Sequence, residues 1–79
     1  MNLTAVLYSN GNQECERARH LLLSLGGDLL EYKLGKDFKE NDFQGEFGRE
    51  AEYPQINIGY HHVGGLKETL NYLSDRDYI

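Results

Sequence analysis

The chain has 79 residues and a single cysteine, which bounds it to one small domain over residues 1–79 with no internal disulfide. Thirteen acidic against 8 basic side chains give a net charge of −5. This argues against nucleic acid or an anionic membrane as the main partner, since both call for a clustered positive surface. The opening "MNLTAVLYSN" lacks the length and charge of a signal peptide, and no apolar run approaches the roughly 20 residues of a membrane span. A lone cysteine without a disulfide framework fits a reducing, cytoplasmic setting, and the expected species is a soluble monomer.

In chain order, residues 3–9, "LTAVLYS", form a short apolar run bounded by "NGN" and read as a buried strand. Asn10-Gly11-Asn12 is turn chemistry, with Asn12 placed to cap a helix. From Gln13 to Ser24 the pattern is helical: Ala18, Leu21, Leu22 and Leu25 fall within an arc of roughly 100°. Cys15 lies about 20° from Leu22, at the edge of that arc. Gly26-Gly27 ends the helix. Residues 28–35, "DLLEYKLG", read as a second strand, and residues 36–51, which carry Phe38, Phe43 and Phe47, hold one short helix, weakened by Gly45 and Gly48. Residues 54–59, "PQINIG", alternate as a third strand, and "HHVGG" (61–65) completes a hairpin. Leu66, Leu70 and Leu73 then recur at i, i+4, i+7 and mark the apolar stripe of a last helix. The order is β-α-β-α-β-β-α, an α/β chain. Crossover handedness pairs the first two strands in parallel, and the hairpin adds an antiparallel edge.

Three stretches in this order resemble the glutaredoxin family, which has the thioredoxin fold. They are Tyr8-Ser9 followed by a loop and "CERARHLL", then "YPQINI", then "HHVGGLKETL". Each is weak alone, but together they cover most of the chain. The resemblance implies a thioredoxin-like central mixed four-stranded sheet with flanking helices, and a cis bond before Pro54. It also implies thiol–disulfide exchange with glutathione as co-substrate or with a protein dithiol, and no metal. Compact members of similar length serve ribonucleotide reductase, often in viruses, which makes that enzyme a candidate partner.

Carried over residue by residue, the resemblance exposes losses. Counting back from "ERARHLL", Cys15 matches the family's second, resolving cysteine, and the nucleophilic first cysteine falls on Asn12. The family's lysine after the first strand is met by Asn10, and its acidic residue after the glycine pair by Lys67, with Glu68 following. The backbone elements are kept. Tyr53 and Pro54 would present main-chain groups to a peptide-like ligand by strand addition. Gly64, Gly65 and Leu66 would border the same groove, the glycines either as a simple turn or as a cradle that lets a carboxylate approach the helix start.

Thiol–disulfide exchange needs a thiolate attacking in line on sulfur, and a helix N-cap stabilises that anion. An amide at position 12 can cap but cannot attack. Cys15 then has two readings. As a small core residue shielded by the leucine face it is inert. As the nucleophile of a monothiol segment, Cys15-Glu16-Arg17-Ala18, it carries the whole activity. The expected function is a glutaredoxin-like thiol–disulfide oxidoreductase with Cys15 as its catalytic sulfur. The alternative is a degenerate glutaredoxin that binds a peptide, glutathione or a protein without turnover. Iron–sulfur transport is a third reading, in which the ligating cysteine would stand at Asn12 and is absent. His61-His62 reads as a solvated pair, Cys15 and His20 point apart on the helix, and Tyr8, Tyr53 and Tyr60 read as packing or groove residues.

Overall fold

A computed structural model describes residues 3–79. Its elements are β1 (Thr4–Ser9), α1 (Gln13–Ser24), β2 (Asp28–Lys33), α2 (Glu40–Phe47), β3 (Gln55–Ile58), β4 (His61–Gly64) and α3 (Leu66–Asp75). The four strands form one mixed sheet in the order β2-β1-β3-β4. β1 runs parallel to β2, with Leu7 opposite Glu31, and antiparallel to β3, with Leu7 opposite Ile56. β3 and β4 are antiparallel, with a register shift between Ile56 and Asn57. This is the thioredoxin-like arrangement that the resemblance implies, in the element order that the periodicities predict.

Period-two alternation along β1 sends Ala5, Leu7 and Ser9 to one face and Val6 and Tyr8 to the other. The first face carries the core: Leu3, Ala5, Leu7, Ile56 and Ile58 pack under Ala18 and Leu22 of α1 and Leu73 of α3. The second face is aromatic. Tyr8 contacts Tyr32, Phe38, Phe43 and Phe47, so α2 is held against the sheet by rings.

Helix ends follow local chemistry. Asn12 caps α1, and Gly26 follows its C-cap with φ +75°, a left-handed conformation that glycine adopts freely. Gly27 passes so close to Leu3 that a Cβ there would stand 2.0 Å from the Leu3 carbonyl oxygen. In α2, Gly45 is retained within the helix and Gly48 ends it.

Two expectations need correction. β2 ends at Lys33 rather than residue 35, because the Lys33 N–H bonds the Asp37 carboxylate at 2.9 Å and the chain turns through Gly35. The buried stripe of α3 is not the one marked by its leucines: Leu70 is 40 % exposed, while Thr69 and Leu73 are fully buried. With Leu73 on the core, the helix is turned so that Thr69, three residues after Leu66, faces inward rather than Leu70, four after it.

Candidate functional site

The loop between β1 and α1 is built from side chains bonding to nearby backbone. Gly11 N–H donates to Ser9 Oγ at 3.0 Å, and Asn12 N–H donates to Asn10 Oδ1 at 3.0 Å. Asn12 Oδ1 in turn accepts the Cys15 N–H at 2.8 Å, and the Asn12 carbonyl accepts the Glu16 N–H at 3.2 Å. Asn12 is therefore the N-cap of α1, exposed at the helix start.

Cys15 sits below this loop. It is a free cysteine, 1 % exposed. Its thiol donates to Asn10 Oδ1 at 3.5 Å, on the same oxygen that accepts the Asn12 N–H. That second donor fixes which end of the Asn10 amide faces the sulfur. A thiolate, the form that attacks disulfides, has no proton to donate to that oxygen. Arg19, near in sequence, is engaged elsewhere: it pairs with Glu16, which lowers the Glu16 carboxyl below its ordinary range.

The Tyr53–Pro54 peptide bond is cis, and Pro54 is buried. The Tyr53 ring stacks on Phe43, with centroids 4.1 Å apart. Its hydroxyl donates to Glu40 Oε2 at 2.9 Å. Burial first, then the Glu40 carboxylate, holds the Tyr53 hydroxyl far above its ordinary pKa. Gly65 lies against this segment: a Cβ on it would stand 3.6 Å from the Pro54 carbonyl oxygen.

Two adjoining hollows result. One, of about 500 Å³, is lined by Asn12, Gln13, Glu14, Glu52 and Tyr53. The other, of about 250 Å³, shares Glu14, Glu52 and Tyr53 and continues past Pro54 to Gly65, Leu66, Lys67 and Glu68. Together they make a groove running from the start of α1, across the cis-proline segment, to the start of α3. Of the residues singled out in the sequence, Asn12, Tyr53, Pro54, Gly65 and Leu66 meet along this groove. Cys15 lies beneath the α1 end without lining it, and Gly64 faces the Glu68 side chain.

Two features of the site are not placed by local sequence pattern, and a third is. Glu14 and Glu52 face one groove although they are distant in the chain. Asn10 covers the thiol. Glu68 reaches back to accept the Gly65 N–H at 2.9 Å, a link that its spacing of three from the helix start would have signalled. His61 and His62 are exposed, but His62 is not simply solvated: its Nε2 lies 2.7 Å from Gln55 Oε1 and its ring 5.0 Å from that of Phe47. Tyr60 is fully exposed and lines neither hollow. Among the described residues no group of three or more His, Cys, Asp or Glu side chains is arranged to hold a metal ion. No helix among them is long and apolar enough to cross a membrane.

No protein-family model matches the chain, and no curated protein matches it. Solved structures do. The chain is similar to glutaredoxin 1 from Francisella tularensis, solved in complex with cacodylate, at 20 % identity and a TM-score of 0.68, over 95 % of either chain. It is also similar to a glutaredoxin from Brucella melitensis whose solution structure is known, at 31 % identity and a TM-score of 0.65. That match covers 92 % of this chain and 79 % of the other.

Proposed function

Because this chain belongs to the glutaredoxin family of thiol–disulfide oxidoreductases, we propose that it keeps the family's ligand groove but binds there without turnover. The ligand is an extended, peptide-like thiol or disulfide, glutathione or a segment of a protein dithiol. It would lie along the Tyr53–Pro54 main chain as a short added strand, between the Asn12 and Gly65 ends.

The observation that carries this reading is the exchange of roles at the start of α1. The solvent-facing cap, where a helix N-terminus would stabilise an attacking sulfur, is an amide, and the one thiol is 1 % exposed behind it. An amide accepts the Cys15 N–H and so completes the helix. It holds no electron pair nucleophilic enough to open a disulfide. With Asn10 and Lys67 at the positions where the family's charged contacts fall, free glutathione should bind weakly, in the millimolar range, about −4 kcal/mol.

A second reading is favoured by the contact of the Cys15 thiol with an exposed loop residue, Asn10, whose Oδ1 accepts from it at 3.5 Å. Movement of that loop that uncovered the sulfur would give a monothiol nucleophile in the first turn of α1. Two measurements separate the readings. Titration with S-methylglutathione, which cannot exchange, should shift amide resonances of Tyr53, Gly65 and Leu66. Reduction of a glutathione mixed disulfide by the wild-type chain should stay at background. Turnover that Cys15→Ser abolishes would establish the second reading instead, and no shifts along the groove for any thiol peptide would defeat both.

A further inference from the structure

The groove has a charge of its own, and its charge bears on selectivity if, as proposed above, it holds a peptide-like ligand. Three carboxylates border it: Glu14 in the first turn of α1, Glu52 just before Tyr53, and Glu68 in the first turn of α3. All three side chains are exposed, and Lys67 is the lone cation of the lining. The one ion pair found among the described residues joins Glu16 to Arg19 outside the groove, so these carboxylates are not neutralised from within. Glu14 and Glu52 line both hollows and therefore flank the waist through which any extended ligand passes.

The backbone donors point the same way. A helix start ordinarily offers N–H groups to an anion, but here one of the chain's own side-chain oxygens takes a donor at each end. The Gly65 N–H is bonded to Glu68, whose Oε1 would lie 3.2 Å from a Cβ at either Gly64 or Gly65. At the other end, the Cys15 N–H is bonded to Asn12 Oδ1. A ligand carboxylate laid along this path meets one occupied donor at each end and carboxylates at the waist. A lysine or arginine side chain meets those waist carboxylates, with Lys67 the one cation near them among the described residues.

We propose that the groove selects a basic protein segment, one whose Lys or Arg side chains flank its cysteine, over anionic peptides such as glutathione, which carries one more carboxylate than ammonium. An exposed ion pair at roughly 6 Å in water is worth about threefold in affinity, so two such pairs give about tenfold.

The test uses the whole chain, labelled with ¹⁵N, and three capped peptides without sulfur, so that no exchange chemistry intervenes: acetyl-Lys-Ser-Lys-amide, acetyl-Gln-Ser-Gln-amide and acetyl-Glu-Ser-Glu-amide. At low salt the lysine peptide should bind about tenfold tighter than the glutamine peptide, with shifts at Glu14, Tyr53 and Gly65, and the glutamate peptide should bind weakest. The preference should shrink to about twofold near 0.5 M salt and vanish in the double variant Glu14→Gln, Glu52→Gln. Equal affinities for all three peptides at these residues would overturn the charge selection while leaving the groove reading intact. Lysine-peptide shifts scattered over the surface, or a preference that survives in the double variant, would overturn it too. No shifts from any peptide would overturn both readings together.

Discussion

Asn12→Cys is the perturbation that most directly probes the proposed loss of a nucleophile. The residue is exposed at the start of α1, borders the larger hollow, and points its side chain at the Cys15 N–H, 2.8 Å from Oδ1. A sulfur there would accept the same N–H at the positive end of the helix dipole, equivalent to roughly half an elementary charge. Losing the amide cap costs about 1 kcal/mol, partly offset once the new sulfur is ionised. For a chain of this size that is a fall of about 4–8 °C in Tm at most. The chemistry should change far more. A missing nucleophile is an all-or-none loss, so reduction of a glutathione mixed disulfide should rise from background by on the order of a hundredfold or more, equivalent to about 2.7 kcal/mol of barrier. Cys15, three residues on, would act as the resolving thiol, leaving its bond to Asn10. The assay couples glutathione release to glutathione reductase and NADPH. Asn12→Ser is the control, since serine caps as well as asparagine and brings no sulfur; it should stay at background. A missing nucleophile is refuted if the wild-type chain is already active, Cys15→Ser abolishes that activity and Asn12→Cys adds little.

Thr69→Val should stabilise the fold, because Thr69 is fully buried and its Oγ1 has no hydrogen-bond partner among the described residues. A gain of about 1 kcal/mol, read as a rise of about 4–8 °C in Tm, is expected, and a fall would mean the hydroxyl is bonded in solution. Stability should decline in alkali. Tyr53 and Tyr8 are both held above their ordinary pKa by burial first, with Glu40 and Glu46 adding to it. The fold thus favours the neutral phenols, and their contribution is complete below about pH 10 and lost as pH rises beyond it. Urea midpoints between pH 8 and 11, taken as rough bounds around that value, should therefore fall less steeply for Tyr53→Phe than for wild type, and parallel slopes would contradict this. Gly27→Ala should cost about 3 kcal/mol or prevent folding, since its Cβ would overlap the Leu3 carbonyl at 2.0 Å and the clash is with backbone; a Tm within a few degrees of wild type by calorimetry would show that the two strands can part.

The element order was legible because each element is written in local chemistry. The limits of α1 follow from the Asn12 cap and from Gly26, and the strands from alternation and their turn residues. What was not legible depends on contacts between distant segments. The leucine pattern of α3 placed Leu70 inside, but the helix is turned by about 40°, enough to carry Leu70 to the surface and Thr69 into the core. Only its neighbours fix that rotation. The three phenylalanines of the middle segment were visible as apolar. That they join Tyr8, Tyr32 and Tyr53 in one aromatic layer follows from the sheet register.

The site divides along the same line. The direction of Cys15 toward the leucine face was readable from helical geometry, and its burial agrees with it. Its cover by Asn10 was not, because that contact comes from a turn whose backbone and side-chain bonds must all close together. Those bonds also couple stability to chemistry. Asn10 Oδ1 holds the Asn12 N–H and the Cys15 thiol at once, while Asn12 Oδ1 holds the Cys15 N–H. A cysteine at position 12 can still accept that N–H, but it weakens the cap, whereas an asparagine there strengthens the helix start and leaves the groove open with no sulfur facing it. The loop thus draws on amides for its order at this end, and the proposed recognition falls to the cis-proline segment and the carboxylates around it.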